Sequence, residues 1–236
     1  MKKVLITGGT GAIGGAIVAE FAKNPNYDIW FSYNNEKARA DEIAARYGAR
    51  AIQIKDNDIS AAPNDIDILV NNAGIFIYSN LAETITDDDM RKTMEVNFIL
   101  PFQLSKKMLP HMKSKKWGRI INISSICAIK NGAESLAYNA SKSALDSMTK
   151  TIAKEYGQFG ITVNSVLPST VDVAGMGFES MKKYGFEEEY QANIESCPVG
   201  RLLLAHEIAP AASFLASDDA AFINGVILPV DGGQTA

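Results

Sequence analysis

The sequence is poor in cysteine and histidine, and it has no long uncharged apolar segment. Its two cysteines are too few for a disulfide framework, and its two histidines lack the spacing of metal ligands. No apolar run approaches the roughly 20 residues of a membrane helix, and the run after Met1 is too short for a signal peptide. These absences predict a cytoplasmic protein with no metal site and no membrane association.

Positive charge is also scarce. The 23 lysines and arginines are outnumbered by 27 acidic residues, which gives a formal net charge of -4, and no basic stripe stands out. We therefore expect no nucleic acid partner. Hydrophobic residues make up 47% and charged residues 21%, which is ordinary for a globular protein. A chain of 236 residues can bury a sizeable core, and we predict a single domain over residues 1–236.

Short β-branched runs alternate with helical patterns along most of the chain. Most of the runs are continuously apolar, as in strands that are covered on both faces. The predicted strands span residues 4–7, 28–33, 51–54, 66–70, 119–123, 161–166 and 225–230. The predicted helices span residues 14–23, 36–47, 87–113, 137–158 and 206–216. This alternation predicts an α/β fold with a doubly wound parallel sheet of about seven strands.

The connection between the third and fourth predicted strands is unusually short. Only eleven residues separate Ile54 from Ile66, and Pro63 is among them. Parallel neighbours need a crossover of about a dozen residues or more, which usually contains a helix. We expect this crossover helix to be short or missing.

A glycine-rich segment follows the first predicted strand and opens the first predicted helix. It reads Thr7-Gly8-Gly9-Thr10-Gly11-Ala12-Ile13-Gly14. Glycines permit a tight turn and a close approach of backbone N–H groups to a pyrophosphate, which a helix N-terminus favours electrostatically. An ordinary glycine-rich turn is the alternative. The strand before the segment and the helix after it favour a dinucleotide site.

A tyrosine and a lysine four residues apart form a second chemical signal. Tyr138 and Lys142 would share one face of the predicted helix over residues 137–158. An ammonium beside a phenol lowers the pKa of the tyrosine, which suits acid–base catalysis. Such pairs are common on surface helices, so this pair indicates catalysis only together with other motifs. Those motifs are Asn71-Asn72-Ala73-Gly74, Asn97 and Ser124-Ser125.

In this order and spacing, the motifs resemble those of the short-chain dehydrogenase/reductase family, and look closest to its compact 3-oxoacyl-[carrier protein] reductase-like members. Ser125 lies 13 residues before Tyr138 and 28 after Asn97, as in the active site of that family. The resemblance runs from end to end of the chain. It implies a Rossmann-type fold and an NAD(P)(H)-dependent oxidoreductase that interconverts a carbonyl and a secondary alcohol.

The resemblance further implies a catalytic tetrad. Tyr138 would be the general acid that protonates the carbonyl oxygen, or the base in the reverse direction. Lys142 would lower the pKa of Tyr138 and hold the nicotinamide ribose. Ser125 would polarise the substrate carbonyl, whereas Ser124 would be structural. Asn97 would hold a helix distortion and a water that connects Lys142 to solvent.

Cofactor contacts are implied at the carboxyl ends of several strands. They are Gly8, Thr10, Gly11, Ala12, Ile13, Gly14, Ser32, Tyr33, Asn34, Asp58, Ile59, Asn72, Ala73, Gly74, Tyr138, Lys142, Pro168, Ser169 and Val171. The second strand ends in Ser32-Tyr33-Asn34, without an acid that would repel a 2′-phosphate. NADP(H) is therefore the favoured cofactor, and NAD(H) is the alternative.

The sequence departs from the family pattern in its glycine loop and after its sixth strand. Ala12 stands where compact members carry glycine, and the spacing Gly8-x-x-Gly11-x-x-Gly14 resembles the longer sugar-nucleotide branch. Val173 replaces a threonine that contacts the nicotinamide carboxamide, so Thr170 or backbone groups would have to compensate. Two alternatives stay open: a dinucleotide-binding redox sensor without turnover, and a sugar-nucleotide-modifying enzyme.

The resemblance also predicts a substrate lid and an oligomer. The lid would span about residues 174–197, whose apolar and aromatic side chains suit a hydrophobic carbonyl or alcohol substrate; a helix pair packed on the domain is the alternative. A homotetramer, or a homodimer, would use the predicted helices over 87–113 and 137–158 and the C-terminal strand as interfaces.

Overall fold

Seven parallel strands form the central sheet of the computed structural model, which describes residues 1–78, 81–133, 135–172 and 187–236. Their order is β3-β2-β1-β4-β5-β6-β9, and β7 pairs with β8 in a separate small sheet. The strands are β1 Lys2–Ile6, β2 Tyr27–Tyr33, β3 Arg50–Gln53, β4 Ile68–Asn71, β5 Gly118–Ile123, β6 Ile161–Pro168, β7 Val171–Asp172, β8 Leu203–Leu204 and β9 Ile227–Val230. The predicted Rossmann-type parallel sheet is confirmed.

Helices follow most of the strands. They are α1 Ala12–Phe21, α2 Lys37–Tyr47, α3 Asp87–Met94, α4 Leu100–Lys115, α5 Cys127–Lys130, α6 Leu136–Tyr156, α7 Glu187–Glu195 and α8 Ala205–Ala216. No helix in the described ranges is long and apolar enough to cross a membrane. The strand order reverses between β1 and β4, and in doubly wound sheets such a switch point opens a crevice at the carboxyl ends of the strands.

Alternate side chains of the strands enter two separate cores, one on each face of the sheet. Val4 and Ile6 pack on one face with side chains of α1 and α8, while Leu5 packs on the other face with side chains of α4 and α6. All three strand residues are fully buried. Because both faces are covered by helices, the strands are continuously apolar rather than alternating.

The crossover between β3 and β4 contains no helix; residues 54–67 are all described, and they form turns and extended chain. Ile54, Ala62 and Ile66 are buried in the core on the α4 side of the sheet. Lys107 on α4 donates a hydrogen bond to the carbonyl of Ile59 at 2.8 Å. The loop therefore covers part of this face of the sheet in place of a crossover helix. The prediction that this helix is missing is confirmed.

The single helix predicted over residues 87–113 is interrupted. Thr86 caps α3, its hydroxyl accepting a hydrogen bond from the N–H of Asp89 at 3.1 Å. Residues Glu95–Ile99 then form a π-helical segment, in which the N–H of Leu100 donates to the carbonyl of Glu95, five residues earlier. The hydrophobic pattern of the sequence does not distinguish this wider turn from an α-helix.

The predicted lid falls largely outside the described residues. Of residues 174–197, those from 174 to 186 are not among them, and Val173 is not either. The described part contains α7. The sequence did not predict α5 or the pairing of β7 with β8, because each is only two to four residues long.

Candidate active site

The glycine-rich loop turns sharply between β1 and α1. Gly8 has φ +66, a left-handed conformation that glycine adopts without strain. The loop is tied to β2 from behind, since the N–H of Gly8 donates to Ser32 Oγ at 3.1 Å and that of Gly9 to the Ser32 carbonyl at 2.8 Å. Gly11 is the N-cap of α1, and no side chain caps this helix. An uncapped helix N-terminus of this kind suits an anionic group.

Close approach explains two of the glycines. A Cβ on Gly14 would lie 2.1 Å from the carbonyl oxygen of Gly8 and 2.7 Å from Nδ2 of Asn72. A Cβ on Gly8 would lie 3.1 Å from the Cα of Ala73. The loop, the start of α1 and the segment after β4 therefore meet with no room for side chains at these positions.

Thr7 and Asn72 lock the glycine loop to the segment after β4. The hydroxyl of Thr7 accepts hydrogen bonds from the backbone N–H groups of Asn72 and Ala73, at 2.8 and 2.9 Å. In return, Nδ2 of Asn72 donates to the carbonyls of Thr7 and Gly8, at 2.8 and 3.3 Å. This reciprocal pairing gives the two neighbouring strand ends one fixed geometry.

A cavity of about 810 Å³ opens at this edge of the sheet. Its volume lies within the range of small-molecule and cofactor sites. Eleven of the predicted cofactor contacts line it: Gly8, Thr10, Gly11, Ala12, Ile13, Gly14, Asn34, Asn72, Ala73, Gly74 and Val171. Further lining residues, for which the sequence made no prediction, are Glu36, Ile54, Asp56, Asn57, Ile75, Lys92, Glu95, Val96 and Leu100.

Tyr138 and Lys142 lie one turn apart on α6, near this cavity. Nζ of Lys142 is 5.6 Å from the centre of the Tyr138 ring and donates to the carbonyl of Ile123 at 2.8 Å. A Cβ on Gly74, in the cavity wall, would lie 3.4 Å from Nζ of Lys142 and 3.4 Å from Oδ1 of Asn97. The lysine and the asparagine are not lining residues themselves, but both adjoin the cavity wall at Gly74.

Asn97 stands in the π-helical segment and is fully buried. Its Oδ1 accepts from the N–H of Ile75 at 2.8 Å, and its Nδ2 donates to the carbonyl of Ile75 at 2.9 Å and to Ser141 Oγ at 3.0 Å. Ser141 donates in turn to the carbonyl of Tyr138 at 2.8 Å. Asn97 thus joins the cavity wall to the helix that carries Tyr138 and Lys142.

Ser125 follows β5 and faces Tyr138. Its Oγ accepts a hydrogen bond from the N–H of Cys127 at 3.1 Å. The neighbouring Ser124 instead donates to the carbonyl of Lys142 at 3.4 Å. The four side chains of the predicted tetrad therefore converge near the carboxyl ends of β4 and β5, as their order in the sequence implies.

Comparison with known proteins agrees with this geometry. The family model described as enoyl-(acyl carrier protein) reductase matches residues 9–235. The 3-oxoacyl-[acyl-carrier-protein] reductase of Rickettsia felis is 34% identical over 240 residues, which cover 99% of this chain and 96% of that protein. The chain belongs to the short-chain dehydrogenase/reductase family. It is therefore an NAD(P)-dependent oxidoreductase that acts on a carbonyl or secondary alcohol.

Solved structures of this family have the same fold. A short-chain dehydrogenase/reductase family protein superimposes with a TM-score of 0.87 at 30% identity, covering 100% of this chain and 98% of the other. A proposed 2-deoxy-D-gluconate 3-dehydrogenase from Agrobacterium tumefaciens with bound NADP gives a TM-score of 0.86 at 29% identity, with 99% and 96% coverage.

Two cofactor contacts that the family resemblance implied do not line the cavity in this short-chain dehydrogenase/reductase. The carboxylate of Asp58 accepts a hydrogen bond from the N–H of Ser60 at 2.9 Å, and Ile59 packs against the core. The residues before them, Asp56 and Asn57, line the cavity instead. Both have left-handed backbone, with φ of 51 and 58. Adjacent Asp and Asn tolerate that conformation well, and this signal in the sequence was missed.

Six other predicted contacts are not lining residues either: Ser32, Tyr33, Tyr138, Lys142, Pro168 and Ser169. Ser32 is buried against the glycine loop, and Tyr33 is not a lining residue. Pro168 ends β6 with its carbonyl accepting from the N–H of Ile126 at 3.1 Å, and the N–H of Ser169 donates to Val230 at 3.3 Å. These backbone ties hold the residues in the edge of the sheet.

Thr170, expected to compensate for Val173, has its hydroxyl elsewhere. It donates to Oδ1 of Asn193 on α7 at 3.0 Å.

Burial dominates the electrostatics of the tetrad. It lowers the pKa of Lys142 to about 8, against the opposing charge of Asp146. It raises the pKa of Tyr138 to about 12, against the hydroxyl of Ser125. Burial thus outweighs the lowering of the Tyr138 pKa that was expected from Lys142, whose Nζ donates to the Ile123 carbonyl.

The residues present fit a nicotinamide dinucleotide. The uncapped start of α1 and the loop at Gly8 suit a pyrophosphate, and the contact between Gly14 and Gly8 leaves no room for a side chain. The cavity runs from these glycines to Gly74, which adjoins Lys142. The pyrophosphate and one of the two nucleosides of an extended dinucleotide thus have matching walls.

Proposed function

We propose that the protein is a carbonyl reductase in which Tyr138 is the general acid. The observation that carries this proposal is the proximity of Ser125 and Lys142 to Tyr138, with Lys142 and Asn97 adjoining Gly74 in the wall of a cavity suited to a dinucleotide. When bound, the cofactor supplies the hydride. The residues of the chain supply the proton, the polarisation of the carbonyl and the geometry.

Each member of the tetrad has a role that matches its contacts. Tyr138 gives its phenolic proton to the carbonyl oxygen, and Ser125 donates a hydrogen bond to the same oxygen. Protonated Lys142 offsets the burial of the tyrosinate and binds ribose hydroxyls at Gly74. Asn97 is a positioning residue, because its hydrogen bonds fix Ile75 and Ser141 on either side of the site.

NADP(H) is the favoured cofactor, and NAD(H) is the alternative. The structural relative from A. tumefaciens holds NADP. On the other side, Glu36 and Asp56 line the cavity of this chain, and carboxylates there oppose a 2′-phosphate. Lys92 is a lining residue of opposite charge. Titration with NADPH and NADH, followed by nucleotide fluorescence, ranks the two cofactors directly.

An apolar wall beside Tyr138 indicates the kind of substrate. The ring of Phe76 meets the Tyr138 ring edge to face, with centres 5.2 Å apart, and 55% of Phe76 remains exposed. We propose a ketone with an apolar substituent. Replacing Phe76 with alanine should raise KM for such ketones while leaving NADPH affinity unchanged.

Turnover by the Tyr138→Phe variant decides the catalytic assignment. We expect a loss of about 100-fold or more in kcat with cofactor affinity retained, since the phenyl ring keeps the packing against Phe76 and lacks the proton. Retained turnover would refute Tyr138 as the acid. Cofactor binding by the wild-type protein, with no reduction across a panel of ketones, would favour a redox sensor.

We further propose a homotetramer. Large aromatic side chains are exposed on α4 at Phe102, on α8 at Phe214, and before β9 at Phe222, which is fully exposed. A monomeric mass by light scattering at micromolar concentration would contradict this proposal.

We also propose a cytoplasmic location. Both cysteines, Cys127 and Cys197, are free, which suits a reducing compartment.

A further inference from the structure

Asp146 is a buried carboxyl group that the proposed mechanism does not use. It lies on α6 one turn after Lys142, and only 7% of it is exposed. Neither of its carboxyl oxygens makes a hydrogen bond of normal geometry in the described part of the chain, although the hydroxyls of Ser165 and Ser124 lie near enough to lower its pKa. A buried carboxyl group without partners is costly, so its presence beside the site needs an explanation.

The groups around Asp146 make it the counterpart of Lys142. The hydroxyls of Ser165 and Ser124 face the carboxyl, but Ser165 pairs with the Thr149 hydroxyl at 2.9 Å, and Ser124 donates to the carbonyl of Lys142. Burial raises the pKa of Asp146, while these hydroxyls and the charges of Lys142 and Lys150 lower it.

Lys142 is itself surrounded by groups that carry little charge. Tyr138 lies on the same helix, Cys127 on α5, Asn97 in the π-helical segment, and the carbonyl of Ile123 at the end of β5. The protonated phenol of Tyr138 and the thiol of Cys127 carry no charge. A carboxylate one helical turn away is therefore the natural counter-charge for this buried ammonium.

We propose that Asp146 is a positioning residue whose carboxylate keeps the Lys142 ammonium protonated and held at the cavity wall. The two charges interact across one helical turn without direct contact, so the groups titrate as a coupled pair rather than separately. Loss of the carboxylate leaves the ammonium uncompensated in a buried site, and it gives up its proton at lower pH. This inference rests on the proposed function, because its readout is turnover through Lys142.

The experiment compares the pH dependence of ketone reduction, at saturating NADPH, for the wild type and Asp146→Asn, which keeps the shape of the side chain. We expect the reduction rates of the wild type and the variant to differ least near pH 6.5. At about pH 9 the variant should lose on the order of tenfold more activity, since each pH unit above a pKa removes about nine-tenths of the protonated form. Asp146→Glu should restore most of the alkaline activity.

Matched variants separate charge from packing. Glu155→Gln removes a carboxylate from an exposed position on the same helix and should leave the profile unchanged. Asp146→Ser is a second charge-free variant, for use if the asparagine variant does not fold; melting curves check both. If neither folds while Asp146→Glu does, the carboxylate serves folding and the proposal is overturned.

The remaining outcomes are equally decisive. If the charge-free variant loses activity at the same alkaline pH as the wild type, the proposal is overturned. A uniform loss of activity at all pH values also overturns it, because such a loss indicates that Asp146 contributes packing rather than charge. A wild type that binds NADPH but reduces no ketone refutes the proposed function instead. The failure of one is thus distinguishable from the failure of the other.

Discussion

Replacing Gly14 with alanine is the sharpest test of how the glycine loop is built. The added Cβ would lie 2.1 Å from the carbonyl oxygen of Gly8, more than 1 Å inside an ordinary contact. It would also lie 2.7 Å from Nδ2 of Asn72, which donates to the carbonyls of Thr7 and Gly8. Neither neighbour can yield without disturbing the lock between the loop and the segment after β4.

The expected cost follows from these contacts. Overpacking a tight backbone contact costs roughly 1–3 kcal/mol. Displacing the Asn72 amide loses two hydrogen bonds, worth about 1 kcal/mol each. The higher helix propensity of alanine returns up to about 1 kcal/mol. The net loss of about 2–4 kcal/mol should lower Tm by roughly 5–15 °C in a protein of this size.

Gly15 provides a matched control on the same helix. A Cβ at Gly15 would lie 3.5 Å from the carbonyl oxygen of Gly9, an ordinary contact. Gly15→Ala should therefore keep or slightly raise Tm, through helix propensity alone. Thermal melting and NADPH titration of both variants test the reasoning. It is refuted if Gly14→Ala melts and binds NADPH like the wild type, or if Gly15→Ala is equally damaged.

Three further predictions concern charge and buried polarity. The Arg201 guanidinium lowers the pKa of Glu207 to about 2. The ionised Glu207 therefore stabilises the fold fully above about pH 4.5, and this contribution is lost as the pH falls through 2. The Tm difference between the wild type and Glu207→Gln should shrink from pH 7 towards pH 3. The rate of ketone reduction should fall above about pH 8 as Lys142 loses its proton, and a rate that stays level to pH 9.5 would contradict its role. Asn97→Leu strands the backbone of Ile75 and should cost about 1–3 kcal/mol in urea unfolding.

The strand and helix pattern was predictable because burial on both faces leaves a strong mark in the sequence. The run from Val4 to Ile6 is apolar at every position, and the structure buries alternate residues in opposite cores. The missing crossover helix was predictable from loop length alone. Chain length and apolar runs are properties that a sequence states directly.

The finer features depend on contacts between distant segments. The π turn at Glu95–Ile99 accompanies hydrogen bonds from Asn97 to Ile75 and Ser141, partners 22 and 44 residues away. The choice of Asp56 and Asn57 over Asp58 for the cavity wall depends on two left-handed residues in succession. Periodicity does not encode either arrangement. The motif spacing therefore assigned the cavity wall to residues two positions further along the chain than those that line it.

The π turn also determines where the chain can change length. A π turn holds one residue more than an α-helical turn, so removing one residue from Glu95–Ile99 would restore a regular helix and leave the rest of α4 facing the same way. Leu104 and Met108, which are fully buried on α4, would then stay in the core, and the change would fall on Asn97, whose hydrogen bonds reach Ile75 and Ser141. Residues 54–67, in contrast, make no hydrogen bond with the four tetrad side chains in the described part of the chain. Over evolutionary time, gains and losses of residues should therefore collect in that loop, while a loss at the π turn would spare the core and displace Asn97 from the site.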